Sequence, residues 1–68
     1  SFDVELLEKG LAQLPAETRS MLWLKDAEDL DVRGLAEIYK MPEGTVKARL
    51  SRARNFVRNY LKEYRQGA

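Results

Sequence analysis

The chain contains no cysteine and no histidine among its 68 residues. Without cysteine it can form no disulfide, and zinc sites built from cysteine and histidine are excluded. The Gly-rich loop that binds phosphate in nucleotide-using enzymes is also missing. A chain this short and without these residues offers little from which an active site could be assembled. We therefore predict no enzymatic activity, no catalytic residue, no metal and no cofactor.

Long apolar runs are missing as well. No segment approaches the roughly 20 apolar residues of a membrane-spanning helix, and the first residues do not read as a secretion signal. The sequence therefore predicts a cytoplasmic protein without a membrane partner, which the absence of cysteine fits. At this length a single domain, spanning residues 1–68, is expected.

Acidic residues are nearly absent from the last third of the chain. Residues 47–68 contain seven lysines and arginines but one acidic residue, Glu63, whereas residues 1–46 contain five cations and ten anions. A basic segment on an acidic body indicates a surface that binds a polyanion. A solvated helix face rich in lysine and arginine would give the same composition, so charge alone leaves both interpretations open.

The few prolines and capping residues divide the chain into helices. Pro15 is suited to a first helical turn, and Asp31 is a good N-cap. Pro42 disfavours helical geometry in the residue before it, so it separates the last two helices. The prediction is an all-α domain with four helices, at about residues 3–13, 15–26, 31–40 and 42–64.

The fourth predicted helix has an apolar face and a basic face. Its apolar stripe recurs at intervals of three and four residues, at Val46, Leu50, Ala53, Val57, Leu61 and Tyr64. The opposite side carries polar and small residues, namely Lys47, Ala48, Ser51, Arg52, Asn55 and Asn59. Arg49 and Arg54 flank the stripe. We expect the stripe to be buried and the basic side to face outward.

A short turn followed by such a helix is typical of the helix-turn-helix, here at about residues 31–64. The second helix of this motif enters the major groove with its N-terminal residues against the bases. Lysine and arginine neutralise phosphates and release counterions, and arginine can pair bidentately with guanine. The pattern therefore favours double-stranded DNA as the partner.

Two sequence motifs carry a family resemblance. They are LPAETR at residues 14–19 and PEGTVKARLSRAR at residues 42–54. Together they resemble region 4 of bacterial sigma factors, most closely the extracytoplasmic-function group, over about residues 11–61. The family reads as a leucine-proline helix start followed by an arginine, then a helix-turn-helix ending in P-x-G-T-V-(K/R)-x-R-L-x-R-A-R.

The resemblance implies the C-terminal domain of an alternative sigma factor. Such a domain recognises the −35 element of promoters and docks on the flap region of the β subunit of RNA polymerase, and an anti-sigma factor could mask it. The residues implied as base contacts are Lys47, Ala48, Ser51 and Arg52. The residues implied as DNA backbone contacts are Arg19, Thr45, Arg49 and Arg54.

Some of these residues have a second interpretation. Arg49 and Arg54 could instead pair with acidic residues of the first half of the chain, and Thr45 could only hydrogen-bond at the helix start. Trp23 and the leucines are expected in the core, with docking on the flap as the alternative.

Three residues depart from the family pattern. Gly34 stands where the family commonly has glutamate, so a reciprocal capping box with Asp31 is missing. Lys40 stands where the family often has glycine, and a left-handed backbone there would cost lysine about 1 kcal/mol or more. Ala48 stands where serine is frequent; alanine cannot hydrogen-bond, but it can touch a thymine methyl group.

Two other functions stay open at this stage. A different helix-turn-helix regulator, such as a response-regulator-like output domain, would bind as a dimer and could pair through Val57, Leu61 and Tyr64. A helical protein-interaction module would instead dock a partner helix on the apolar stripe of the fourth helix. DNA binding through four to six phosphates predicts a slope of roughly −4 to −5 for log K against log salt, which an interaction module would not show.

Overall fold

The chain folds into four helices joined by short turns. The computed structural model describes the backbone of residues 2–67 and the side chains of residues 3–64. The helices are α1 (Phe2–Ala12), α2 (Ala16–Asp26), α3 (Val32–Tyr39) and α4 (Glu43–Gly67), and no strand occurs in this part of the chain. The predicted all-α fold is therefore confirmed.

The turn between α1 and α2 is closed by backbone hydrogen bonds. The Gln13 N–H donates to the Gly10 carbonyl, and the Leu14 N–H donates to the Leu11 carbonyl. Pro15 has φ −56° and ψ 147°, which is extended, so it is the N-cap of α2 and not its first helical residue. Its carbonyl nonetheless accepts the first helical bond, from the Arg19 N–H at 3.0 Å. The predicted start of α2 is thus one residue early.

The loop between α2 and α3 ends in the predicted cap. The Leu30 N–H donates to the Leu24 carbonyl at 2.9 Å across a left-handed Asp29 with φ 57°. The Asp31 carboxylate then accepts from the Gly34 N–H at 2.8 Å. This bond satisfies one of the free N–H groups of the first turn of α3, so Asp31 is the N-cap, as predicted.

The turn between α3 and α4 depends on a left-handed lysine. Lys40 has φ 55° and ψ 51°, which brings its own N–H and that of Met41 to the carbonyl of Ala36. Pro42 follows, and its carbonyl accepts from the N–H groups of the first turn of α4. Lysine therefore occupies a backbone conformation that favours glycine.

The core is built around the first half of α4. The buried cluster consists of Leu14, Met21, Leu22, Leu35, Val46, Leu50, Ala53 and Val57. The first four members of the predicted α4 stripe are thus buried, whereas Leu61 is partly buried and Tyr64 is 52 % exposed. Helix α4 also extends past its predicted end at Tyr64.

Helix α1 covers part of the second half of α4. Among residues 3–12 of this helix, Leu6 and Gly10 are buried. Gly10 lies so close to the Tyr60 ring that a Cβ there would be 3.1 Å from its Cδ1 atom. The Tyr60 ring in turn stacks on that of Tyr64, with ring centroids 4.4 Å apart. A small residue in α1 therefore lets the two helices approach closely.

Trp23 is not in the core, in contrast to the expectation from the sequence. Its side chain is 63 % exposed, while its neighbours Met21 and Leu22 are buried. Consecutive helical residues point about 100° apart, so a run of four apolar residues cannot all face one side. Met21 and Leu22 face the interior, and Trp23 lies on the outer side of α2.

Over the part of the chain that the structure describes, no helix is both long enough and apolar enough to cross a bilayer.

Candidate nucleic-acid interface

The first turns of α4 carry a contiguous outward patch. All four residues implied as base contacts are exposed, and they are Lys47, Ala48, Ser51 and Arg52. Their spacing of i, i+1, i+4 and i+5 places them on two adjacent turns of one helix side. We call these four residues the outer patch. The structure therefore brings them together on the side of α4 opposite its buried stripe.

Packing from behind fixes the direction in which the outer patch faces. Val46 and Leu50 of α4 belong to the same buried cluster as Leu35 of α3. Helix α4 also contacts α1 and α2. Because the first half of the apolar stripe lies in this cluster, α4 cannot rotate about its axis without exposing core residues. The patch is thus held on a rigid element, as a surface that reads bases requires.

The start of α4 is open to an approaching group. Gly44 has no positive φ, and a Cβ built on it would meet no atom within 4 Å. Thr45 is exposed, and its hydroxyl makes no hydrogen bond to any residue whose side chain the structure describes. Its backbone N–H donates to the Pro42 carbonyl at 3.0 Å.

Two arginines flanking the stripe are paired with α2. The Arg49 guanidinium donates to the Glu17 carboxylate, and that of Arg54 donates to Asp26 at 2.7 Å. Glu17 lies in the first turn of α2 and Asp26 is its last residue, so the two pairs link α4 to both ends of α2. In the free chain, Arg49 and Arg54 therefore form ion pairs within the domain, which is the second interpretation that the sequence left open.

These two ion pairs remain accessible to water. The side chains of Arg49 and Glu17 are 33 % and 56 % exposed, and those of Arg54 and Asp26 are 42 % and 60 % exposed. Exposed pairs of this kind contribute about 0–1 kcal/mol to stability. An anion of higher charge density could therefore displace either carboxylate at low energetic cost.

Arg19 lies at the turn between α1 and α2, away from the outer patch. Its guanidinium donates to the carbonyls of Leu14 at 2.7 Å and of Ala12 at 3.2 Å. It thus satisfies a carbonyl at the C-terminus of α1, where a cation is also favoured by the helix dipole. Its side chain lines a groove between α1, α2 and α4 and does not join the outer patch.

A second set of cations borders the outer patch. Between the end of α2, the start of α3 and α4 lies a solvent-open cleft of about 230 Å³. We call it the cationic cleft, and the polar side chains lining it are Lys25, Lys47, Ser51, Arg54, Asn55 and Arg58. The Arg58 guanidinium donates to the Asn55 side-chain oxygen at 2.8 Å.

Sequence reasoning did not assign Lys25 or Arg58 to any site. A signal for Arg58 existed, because it lies four residues after Arg54 and seven after Ser51, on the same side of a helix. Lys25 had no such signal. It reaches the cleft only because α2 packs against α4, which the linear pattern does not reveal.

An apolar groove adjoins the cationic cleft, since Arg54 and Arg58 line both. It has a volume of about 1070 Å³ and lies between α1, α2 and α4. Its main apolar lining residues are Leu7, Leu11, Leu22, Trp23, Val57 and Leu61. Trp23 contributes a large exposed ring to it. We call this surface the apolar groove, and it has the character of a protein-binding site.

No part of the described chain offers a metal site, because acidic side chains do not cluster in groups of three or more there.

Comparison with known proteins gives one match. The model of the family described as Sigma-70, region 4 matches residues 5–57. This span covers most of the chain and includes the outer patch, both arginine ion pairs and Trp23. Neither the curated proteins nor the solved structures gave a match.

Proposed function

The chain belongs to the sigma-70 region 4 family of DNA-binding domains, and from this premise we propose that it reads the −35 element of promoters through the outer patch. In this proposal it is the C-terminal domain of an alternative sigma factor of the extracytoplasmic-function type. The proposal implies a cytoplasmic location. The observation that carries it is the outer patch itself, which is exposed and basic on a helix whose other side is buried.

The four proposed base contacts differ in the groups of a base that they can bind. Arg52 can donate two hydrogen bonds to the major-groove edge of guanine, and Ser51 can donate or accept one. Ala48 can contact only an apolar group, for which the thymine methyl is the candidate. Lys47, near the start of α4, can donate a hydrogen bond to a guanine or to an acceptor on the edge of a neighbouring base pair.

The backbone contacts hold the helix in the groove. Thr45 lies at the open start of α4, where backbone N–H groups and the helix dipole favour a phosphate. Arg49 and Arg54 would exchange their α2 carboxylates for phosphates. Arg19 keeps donors beyond those bound to the two carbonyls, because a guanidinium has five N–H groups. Phosphate contacts of this kind position the domain without specifying sequence.

A selection experiment tests the proposal. Duplexes enriched from a random library by the wild-type chain define its preferred sequence, and binding is then compared with a scrambled duplex. We expect Arg52→Ala to lose about 1–3 kcal/mol of discrimination at the base it contacts. Arg49→Ala, the matched control, should weaken binding to both duplexes alike. Equal losses on the two duplexes for Arg52→Ala would refute base reading by this residue.

We also propose that the apolar groove docks the flap region of the β subunit of RNA polymerase, and that an anti-sigma factor could compete for it. Trp23 supports this, since a ring 63 % exposed beside five apolar residues is stabilised when a partner covers it. Trp23 is the one tryptophan of the chain, so its fluorescence reports on the groove.

Titration with the flap-tip segment tests the docking proposal. Saturable binding should shift Trp23 emission to the blue, and Leu7→Ala should weaken it because Leu7 lines the groove. Ile38→Ala serves as the control, because Ile38 is an exposed apolar residue of α3 outside the groove. Binding that depends on Ile38 and not on Leu7 would move the docking surface away from the groove.

The rival functions lose their main structural support. Val57 is buried and Leu61 is partly buried in the domain itself. Of the three residues through which a dimeric regulator could pair, only Tyr64 is exposed, at 52 %. The first half of the stripe is buried in the domain core and offers little surface to a partner helix.

A further inference from the structure

We propose that the cationic cleft binds a phosphate of the DNA strand that runs beside the outer patch, with Lys25 and Arg58 as its principal contacts. This inference rests on the proposed function, because it assumes that α4 enters the major groove. It adds to the interface a residue of α2, which lies outside the helix-turn-helix.

The position of the cleft supports this role. Lys47 and Ser51 belong both to the outer patch and to the lining of the cleft. The cleft therefore begins where the base-facing surface ends. A helix lying in the major groove has a phosphate backbone on either side of it, so a surface next to the outer patch faces one of these strands.

The charge of the cleft suits a phosphodiester. Four of its lining residues are cationic and none is acidic. Asp26 offsets the charge of Arg54, but Lys25 and Lys47 form no ion pair with any described side chain. The nearby Asp31 carboxylate is engaged by the Gly34 N–H at the start of α3. Three cations thus remain without a carboxylate partner around one open cleft.

The donors of the cleft are held in place before any ligand arrives. The Asn55 side-chain oxygen accepts from Arg58, which orients the guanidinium without neutralising it. The ion pair between Asp26 and Arg54 holds the end of α2 against α4. Lys25 directly precedes Asp26 and is partly buried, so its side chain has less freedom in the free chain than a fully exposed lysine has. Preorganised donors lose less side-chain freedom on binding.

The test is the salt dependence of duplex binding by the full chain. Any duplex of mixed sequence serves, because phosphate contacts do not depend on sequence. We expect Lys25→Ala and Arg58→Ala each to make the slope of log K against log salt less steep by about 0.9. Both should lose affinity equally on selected and scrambled duplexes, and Lys25→Arg should keep the wild-type slope.

Lys9→Ala is the matched control, because it removes one exposed positive charge from α1, away from the cleft. Thermal unfolding of each variant shows that the fold is retained. If wild-type chain binds with a steep slope but the Lys25 and Arg58 variants behave like Lys9→Ala, the cleft proposal is overturned and the proposed function stands. If the wild-type chain binds no duplex, both fall.

Discussion

Replacing Lys40 by glycine should stabilise this domain, although it removes a charged side chain and adds no contact. Lys40 has φ 55° and ψ 51° in the turn between α3 and α4. In this left-handed region the Cβ of an L-residue crowds the following carbonyl, at a cost of roughly 1–2 kcal/mol. Glycine has no Cβ and adopts the same backbone freely.

The gain in the free energy of unfolding is the difference between two opposing contributions. Glycine has more freedom in the unfolded chain, which removes about 0.5–1 kcal/mol of the benefit. The exposed Lys40 side chain makes no hydrogen bond or ion pair with any described residue, and the backbone bonds to Ala36 do not involve it. The net gain should therefore be about 0.5–1 kcal/mol. For a domain of this size it raises the melting temperature by roughly 2–8 °C.

Thermal unfolding followed by far-ultraviolet circular dichroism measures this effect. Lys40→Ala is the control, because alanine loses the charge and the side chain but keeps the Cβ. Asp29→Gly tests the other left-handed position, with φ 57°, where the gain should be smaller because aspartate tolerates this conformation better. The reasoning is wrong if Lys40→Gly melts at or below the temperature of Lys40→Ala.

Three further predictions concern the helix starts and the ion pairs. Glu17→Gln should free Arg49, so duplex affinity at a given salt concentration should rise while stability changes by less than about 1 kcal/mol; an unchanged affinity would show that the pair does not compete with DNA. Gly44→Ala should raise the free energy of unfolding by about 0.5–1 kcal/mol in denaturant titrations, because the added Cβ meets no atom within 4 Å; a loss would reveal strain in the first turn of α4. Asp31→Ala should cost about 1 kcal/mol in the same assay, whereas Asp31→Asn should keep most of the cap; equal losses would mean that the bond to Gly34 contributes little.

Local signals made most of the fold predictable. Proline and aspartate act on their own neighbours in sequence, so Pro15, Asp31 and Pro42 located the helix starts to within one or two residues. The stripe of α4 is likewise periodic along one segment. The predicted end of α4, at Tyr64, is three residues too early, because nothing in the sequence there stops a helix before Gly67.

Features that depend on packing between helices were harder to predict from the sequence. The run from Met21 to Leu24 is apolar throughout, so it does not say which residue faces outward, and Trp23 was misplaced. The partners of Arg49 and Arg54 lie 32 and 28 residues away, so pairing with the acidic half was open but the partners were not specified. Lys25 joins the cationic cleft for the same reason.

Reading of duplex DNA by the outer patch of α4 can be tested residue by residue. Amide-resolved NMR of the isotopically labelled chain, titrated with a duplex enriched by selection, tests it most directly. We predict that the largest shifts fall on residues 44–52 and extend to Lys25 and Arg58, while the amides around Leu7, on the α1 side of the apolar groove, change little. Shifts that cluster instead around Leu7 and Trp23, with residues 47–52 unchanged, would contradict the account.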